Sequence, residues 1–328
     1  MSKKIQELIK KVTGADEIKK AEVVQKLWSD YGQILRFELK GSALSSIIVK
    51  QVLLHEPPNH PKGWKSTIGH QRKLKSYQVE TAWYQHYSAS CDESCRIPKC
   101  LSIDFFDDEV VMVLEDLNAA GYPERKSFLQ WDEIKSCLKW LANFHATFLH
   151  QKPVGLWEIG TYWHLETRQE ELEALSDLSL KEMAFSIDKK LKASKFQTLV
   201  HGDAKVANFC FSKDDQEVAA VDFQYVGAGC GMKDLAYFIG SCLDEEKSAK
   251  LELQILDCYF EELHAAILRK NISTDPDKLE EDWRSLFHVA WADFHRFLKG
   301  WSPGHWKINS YSEHVTQQVI SQLQKELS

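Results

Sequence analysis

Strand-like and helix-like patterns divide this chain at one point, and that division restricts its fold more than any other feature. Before residue 118, β-branched apolar runs dominate. Gln33 to Leu39 (QILRFEL), Ser45 to Leu54 (SSIIVKQVLL) and Glu109 to Leu117 (EVVMVLEDL) read as strands, the first two joined by the turn signal Lys40-Gly41-Ser42. One helix lies among them: His70 to Tyr87 carries Leu74, Tyr77, Thr81 and Tyr84 at helical spacing, with no glycine or proline. Pro57, Pro58 and Pro61 make the segment before it a loop. After Asn118-Ala119-Ala120-Gly121 the pattern turns helical, with long amphipathic phrases over residues 131–149, 251–270 and 279–300. Two strand signals interrupt that second part, QTLVHGD and EVAAVDFQ. The expectation is an α+β chain: a small β-rich lobe over 1–117 and a larger, mainly helical lobe over 118–328.

Composition narrows the class. The 328 residues are 44% hydrophobic and 27% charged, the balance of a soluble globular protein. A formal net charge of −7 argues against a nucleic-acid binder, which needs a basic face. No apolar run approaches the ~20 residues that span a bilayer. The first residues, MSKKIQELIKKVTG, place Ile5, Leu8, Ile9 and Val12 at helical spacing and lack the apolar core of a secretory signal, so a surface helix is expected there. Cys91, Cys95 and Cys100 cluster, but no second pair completes a zinc site. These features predict a cytoplasmic protein with free thiols, no membrane contact and no obligate protein partner.

The two strand signals of the helical part flank one polar constellation, LVHGDAKVANFCF from Leu199 to Phe211. A phosphoryl-transfer centre needs a carboxylate to orient the attacking hydroxyl, oxygen ligands for magnesium, and cations for the phosphates. Protein kinases set the first two in H-R-D-L-x-x-x-N and follow them with a metal-binding Asp at the end of a strand. Here Asp203 and Asn208 are five apart, and Asp222-Phe223-Gln224 comes fourteen residues beyond Asn208, after VAAV. A hairpin between them would bring Asn208 and Asp222 onto one magnesium ion, which needs few protein ligands.

HGDAKVANF, VDFQ and GMKDLAYFI (Gly231 to Ile239) resemble the aminoglycoside phosphotransferase and choline kinase superfamily, and most of all its ecdysteroid kinase-like branch and related bacterial small-molecule kinases. The resemblance implies a protein-kinase-like bilobal fold, ATP and Mg2+ as cofactors, and a small-molecule hydroxyl acceptor. It implies roles residue by residue. Asp203 would be the catalytic base, and Lys205 would neutralise the transferred phosphate. Lys50 would pair with the α- and β-phosphates, with Glu80, in the following helix, as its ion-pair partner. Backbone groups of Glu115, Asp116 and Leu117 would meet the adenine edge. LWSDYGQILRF resembles the phosphate-covering hairpin, with Ser29 to Gly32 at its tip and Gly32 alone left of the protein-kinase glycines. His201, Asp234 and His145 read as structural, holding the loop from beneath. Gln224 stands where protein kinases have glycine, which predicts little flipping of that segment.

Other readings stay open. A kinase-like module that binds nucleotide without turnover would keep the same fold. A protein kinase is disfavoured because Phe223 to Leu235 is too short for a long activation loop. Trp157, Trp163, Trp283, Trp291, Trp301 and Trp306 could build an aromatic cage for a quaternary ammonium acceptor, or serve as core. The resemblance admits choline- or ethanolamine-like, aminoglycoside or sugar, and sterol-like alcohols.

Overall fold

The structure, a computed structural model, describes residues 3–27, 30–54 and 67–327. Helix α1 (Lys3–Thr13) precedes a five-stranded antiparallel sheet of β1 (Glu17–Lys26), β2 (Gly32–Lys40), β3 (Ser46–Leu53), β4 (Cys100–Phe106) and β5 (Glu109–Glu115). The strands lie in the order β1-β2-β3-β5-β4. Helix α2 (Thr67–His86) is the crossover between β3 and β4.

The two-residue period of the strands sorts their side chains between two faces. Leu35, Phe37, Ile47, Val49, Val111 and Val113 meet Ile5, Leu8 and Ile9 of α1 on one face. Val52, Val110, Met112 and Leu114 point the other way, into the core shared with α2 and the larger lobe. Lys50 follows Val49, so it belongs to this second face. The pairing Lys50↔Met112 sets it in the middle of the sheet.

Beyond the sheet come α3 (Trp131–Thr147), β6 (Trp157–Ile159), α4 (Gln169–Ala174), α5 (Leu178–Lys192), β7 (Thr198–Val200), β8 (Phe209–Phe211), β9 (Val218–Ala220) and β10 (Gly227–Gly229). The chain ends with α6 (Met232–Cys242), α7 (Glu245–Arg269), α8 (Pro276–Trp301) and α9 (Ser310–Leu327). Side-chain caps start the long helices. Asp244 accepts from the Lys247 N–H at 2.9 Å, and Asp275 precedes Pro276 at the first position of α8. The architecture is α+β, a small antiparallel sheet beside a larger, mainly helical part.

Two features depart from the sequence reading, and a third bears on a reading it left open. Strand β1 is exposed along almost its whole length, so no apolar alternation announces it; pairing with β2 alone defines it. Strands β6 and β10 are three residues each, too short for a pattern, and exist by pairing with each other and with β7. Of the six tryptophans named for a cage, Trp163, Trp283 and Trp291 are core and each donates an indole N–H to a partner, whereas Trp157 is half-buried and Trp301 and Trp306 are exposed. The aromatic core crosses between the lobes, where Trp83 of α2 stacks on Phe223 with ring centroids 4.7 Å apart.

Candidate active site

The loop from His201 to Asn208 is built around one buried carboxylate. Asp234, in the first turn of α6, accepts the backbone N–H of His201 at 2.5 Å and that of Gly202 at 2.9 Å. The same carboxylate takes His145 Nε2 at 3.1 Å, while His145 Nδ1 meets the Tyr259 hydroxyl at 2.8 Å. His201 accepts the Asp203 N–H at Nδ1, which leaves Nε2–H to donate to the Val221 carbonyl at 3.1 Å. None of these groups is free for substrate. Gly202 is required by space as well as by its φ of +79°: a Cβ there would lie 2.1 Å from the Tyr225 carbonyl oxygen.

Held this way, Asp203 presents a fully engaged carboxylate. Oδ1 accepts from the Tyr237 hydroxyl at 3.0 Å, and Oδ2 from Lys205 Nζ at 2.8 Å. The Asn208 amide donates to the Asp203 carbonyl at 2.8 Å and to Oδ2 at 3.1 Å, which turns its own Oδ1 away from Asp203. Strands β8 and β9 then fold back as a hairpin, with the Val221 N–H on the Asn208 carbonyl at 2.9 Å. Asp222 is therefore the first residue past the rung at Asn208 and Val221 that closes the hairpin.

Asp222 sits in the left-handed region at φ +71°, an uncommon conformation that clusters at functional sites. Its Oδ1 is buried and has no hydrogen-bond partner among the described residues. A buried carboxylate oxygen so left is costly unless a cation takes it up. Asn208 pairs through its backbone with Val221, the neighbour of Asp222, so the side chains the two offer form an all-oxygen donor set, which suits magnesium.

The two aspartates are pushed in opposite directions. Burial raises the Asp203 carboxyl above its ordinary value, Lys205 opposes that, and the neighbouring Asp222 charge adds to it. Burial would raise Asp222 as well, but Lys50, Lys73 and Lys205 together hold it below the ordinary range. Two carboxyls with separated affinities for a proton suit two tasks, a base and a permanently ionised ligand.

From the sheet side, Lys50 Nζ donates to both oxygens of Glu80, at 2.8 and 2.6 Å, and both residues are buried. Burial pushes the Glu80 carboxyl up against the opposing charge of Lys50. The segment expected to meet adenine is largely committed to structure. The Glu115 carboxylate takes Arg96 at 2.6 Å and the Lys99 N–H at 3.0 Å, and the Glu115 N–H donates to Lys99. The Asp116 carboxylate holds Arg36 at 2.8 Å and Ser46 at 2.7 Å. The carbonyls of Asp116 and Leu117 accept from Ala120 and Tyr122. The Leu117 N–H makes no hydrogen bond among the described residues, which leaves it open to an adenine edge. Gly32 opens β2, where a Cβ would meet the Gln51 carbonyl at 2.0 Å; close approach of β3 alone accounts for its glycine. Ser29 lies outside the described residues.

With this geometry in hand, the comparison with known proteins is direct. Residues 36–153 and 159–272, more than half of the chain, match the model of the ecdysteroid kinase-like family. The chain belongs to that family. It is thereby a member of the aminoglycoside phosphotransferase and choline kinase superfamily. Among solved structures, this ecdysteroid kinase-like chain is similar to a microcompartment-associated aminopropanol kinase, at 13% identity over 98% of this chain and 94% of the other, with a TM-score of 0.52. An aminoglycoside phosphotransferase from Streptomyces rimosus, solved with ADP and streptomycin, matches at 12% identity over 90% and 99% of the two chains, TM-score 0.49. An ethanolamine kinase of Plasmodium vivax matches at 12% over 92% and 82%, TM-score 0.46. At 13% identity the first of these likenesses shows a shared fold. A search of curated proteins found no match. Among the described residues, no helix is long and apolar enough to cross a membrane.

Two residues at the site of this ecdysteroid kinase-like chain were not singled out from the sequence. Tyr237 lies three positions after Asp234 on α6, on the same helical face, so the residue that ties the loop and the residue that bonds the base share one turn. Lys73 lies seven positions before Glu80 on α2, two turns along the same face, and donates to Gln224 Oε1 at 2.8 Å. Ser76 reaches the same oxygen at 3.2 Å, and the Trp157 indole holds the Gln224 carbonyl at 2.8 Å. Burial and the nearby Lys50 bring Lys73 down to about 8, against the pull of Asp222.

Proposed function

We propose that this chain transfers the γ-phosphoryl group of ATP to a hydroxyl of a small molecule, with magnesium. The observation that carries the reading is the pair of aspartates flanking one hairpin: buried Asp203 with its proton affinity raised, and Asp222, held ionised, with a buried oxygen that has no partner among the described residues. In this reading Asp203 orients the acceptor hydroxyl and receives its proton as the bond to phosphorus forms. Asn208 and Asp222 hold magnesium, which when bound neutralises charge on the phosphate oxygens. Lys50, fixed by Glu80, positions the α- and β-phosphates, and Lys205 faces the transferred group while fixing the base. The Leu117 N–H meets the adenine edge, and the β1–β2 turn with Ser29 and Gly32 covers the phosphates. Residues 1–117 then serve as the nucleotide lobe and 118–328 as the catalytic and acceptor lobe of a cytoplasmic enzyme. Positioning and electrostatics supply the acceleration, with no covalent enzyme intermediate.

The test is ADP release from ATP and magnesium over a panel of hydroxylated metabolites, with Asp203→Asn alongside. Loss of a general base of this kind costs roughly 10²–10⁴-fold in rate. The expected result is a turnover signal that falls by that order in the variant, with ADP affinity nearly intact. Nucleotide binding with no transfer to any acceptor would instead identify a binding module.

A further inference from the structure

Lys307 brings a positive charge near the base that no hydrogen bond or ion pair among the described residues neutralises. It lies in the segment between α8 and α9, and its Nζ makes no hydrogen bond or ion pair among the described residues. What surrounds it is aromatic. The ammonium sits 5.3 Å from the ring centroid of Tyr237, 5.8 Å from Phe294 and 5.5 Å from Trp306. Tyr237 links it to the chemistry, since the hydroxyl of that same ring bonds Asp203 Oδ1 at 3.0 Å.

This arrangement answers the question of a cation cage. Three aromatic faces that could have received a quaternary ammonium already carry the chain's own ammonium. A second cation beside Lys307, with Lys205 close by, would meet repulsion. Burial pushes Lys307 down to about 8, with Cys242 and then Asp203 opposing and Lys205 adding to the fall. A half-buried ammonium in that condition gains most from an anion supplied from outside. Asp203, the carboxylate that acts on it among the described residues, is already bonded by Lys205, Tyr237 and Asn208.

We infer that Lys307 determines acceptor specificity, and that the acceptor is an alcohol bearing an anionic group, a carboxylate or its equivalent, rather than an amino alcohol. The inference rests on the phosphotransferase reading and deepens it. The hydroxyl would meet Asp203 while the anionic group pairs with Lys307 across the Tyr237 ring. Flat or apolar parts between them would lie on the aromatic lining.

Three compounds on one skeleton test it: 4-(hydroxymethyl)benzoate, 1,4-benzenedimethanol and 4-(aminomethyl)benzyl alcohol, given to the wild-type chain, Lys307→Met and Lys307→Glu. Phosphate transfer is followed with ATP and magnesium, and binding is followed by calorimetry with ADP and magnesium present. The expected wild-type preference is the acid over the amine by about tenfold or more in kcat/KM, lost in Lys307→Met and reversed in Lys307→Glu. A wild-type preference for the amine, or an acid-to-amine ratio unchanged by Lys307→Met, overturns the inference. So does weaker ADP binding in Lys307→Met with that ratio unchanged, because the lysine would then serve the nucleotide. If no compound is phosphorylated, calorimetry still decides. Acid binding that disappears in Lys307→Met upholds the role of Lys307 while the phosphotransferase reading fails. Equal affinity for all three, absence of binding included, overturns it.

Discussion

The hydroxyl of Tyr237 donates to Asp203 Oδ1 at 3.0 Å, on the carboxylate oxygen that Lys205 does not hold. This bond fixes the rotation of the carboxylate about its own axis, which neither the loop backbone nor Lys205 does alone. Tyr237→Phe keeps the ring and its packing against Trp163 and Phe294 and removes only the donor. A hydrogen bond to a charged group contributes about 1.5–3 kcal/mol, so kcat should fall about tenfold or more. ADP affinity should stay within twofold on the scale of such contacts. An unchanged kcat in steady-state assays would remove Tyr237 from the orienting role.

Acid inactivation carries its own signature. Asp203 must be ionised to accept a proton, and its carboxyl is raised by burial while Lys205 pulls it down. The acid limb of kcat/KM should therefore lie above the range of an ordinary carboxylate. Removing the opposing charge in Lys205→Met raises Asp203 further and leaves less of the active form at a given pH. The limb should move to higher pH, in addition to a loss of kcat. A limb that stays in place, or moves down, would separate Lys205 from the titration of the base.

Glu80→Gln leaves Lys50 without its buried counter-charge. Breaking a buried pair by removing one partner costs about 3–5 kcal/mol. Urea unfolding should show a loss of that order, and nucleotide affinity should fall as Lys50 loses its fixed direction. Full stability in the variant would mean that Lys50 finds another carboxylate, with Asp222 the nearest in charge.

Gly202→Ala tests the loop's steric requirement. The added Cβ would meet the Tyr225 carbonyl at 2.1 Å and the Thr161 nitrogen at 2.8 Å, at a φ that L-residues avoid. A loss of about 2 kcal/mol or more is expected, with transfer activity falling faster than stability. Gly304→Ala is the control, because nothing lies within 4 Å of its added Cβ. Denaturant midpoints of the two variants should separate clearly.

Much of this was readable from the chain. Strands β2, β3 and β5 declare themselves because each has one face on α1 and another on the shared core. The trio Asp203, Asn208 and Asp222 is readable because a short loop and one hairpin bring the three together, so sequence spacing and spatial spacing coincide. Strand β1 is not, since its side chains face solvent and only its backbone is committed. Nor is Lys307, whose importance comes from rings on α6, on α8 and next to it in sequence. Lys73 was hidden for the same reason: its partner Gln224 is 151 positions away. Leu117 shows a third case, where the sequence points to three residues and only the structure shows which side chains and carbonyls among them are already committed.

Asp234 holds two loop amides and His145 from a position with no solvent exposure, on a helix packed into the largest cluster of the molecule. The reacting loop therefore has no hinge of its own. Warming cannot loosen it in advance of the domain that anchors it, and thermal inactivation should coincide with cooperative melting instead of preceding it.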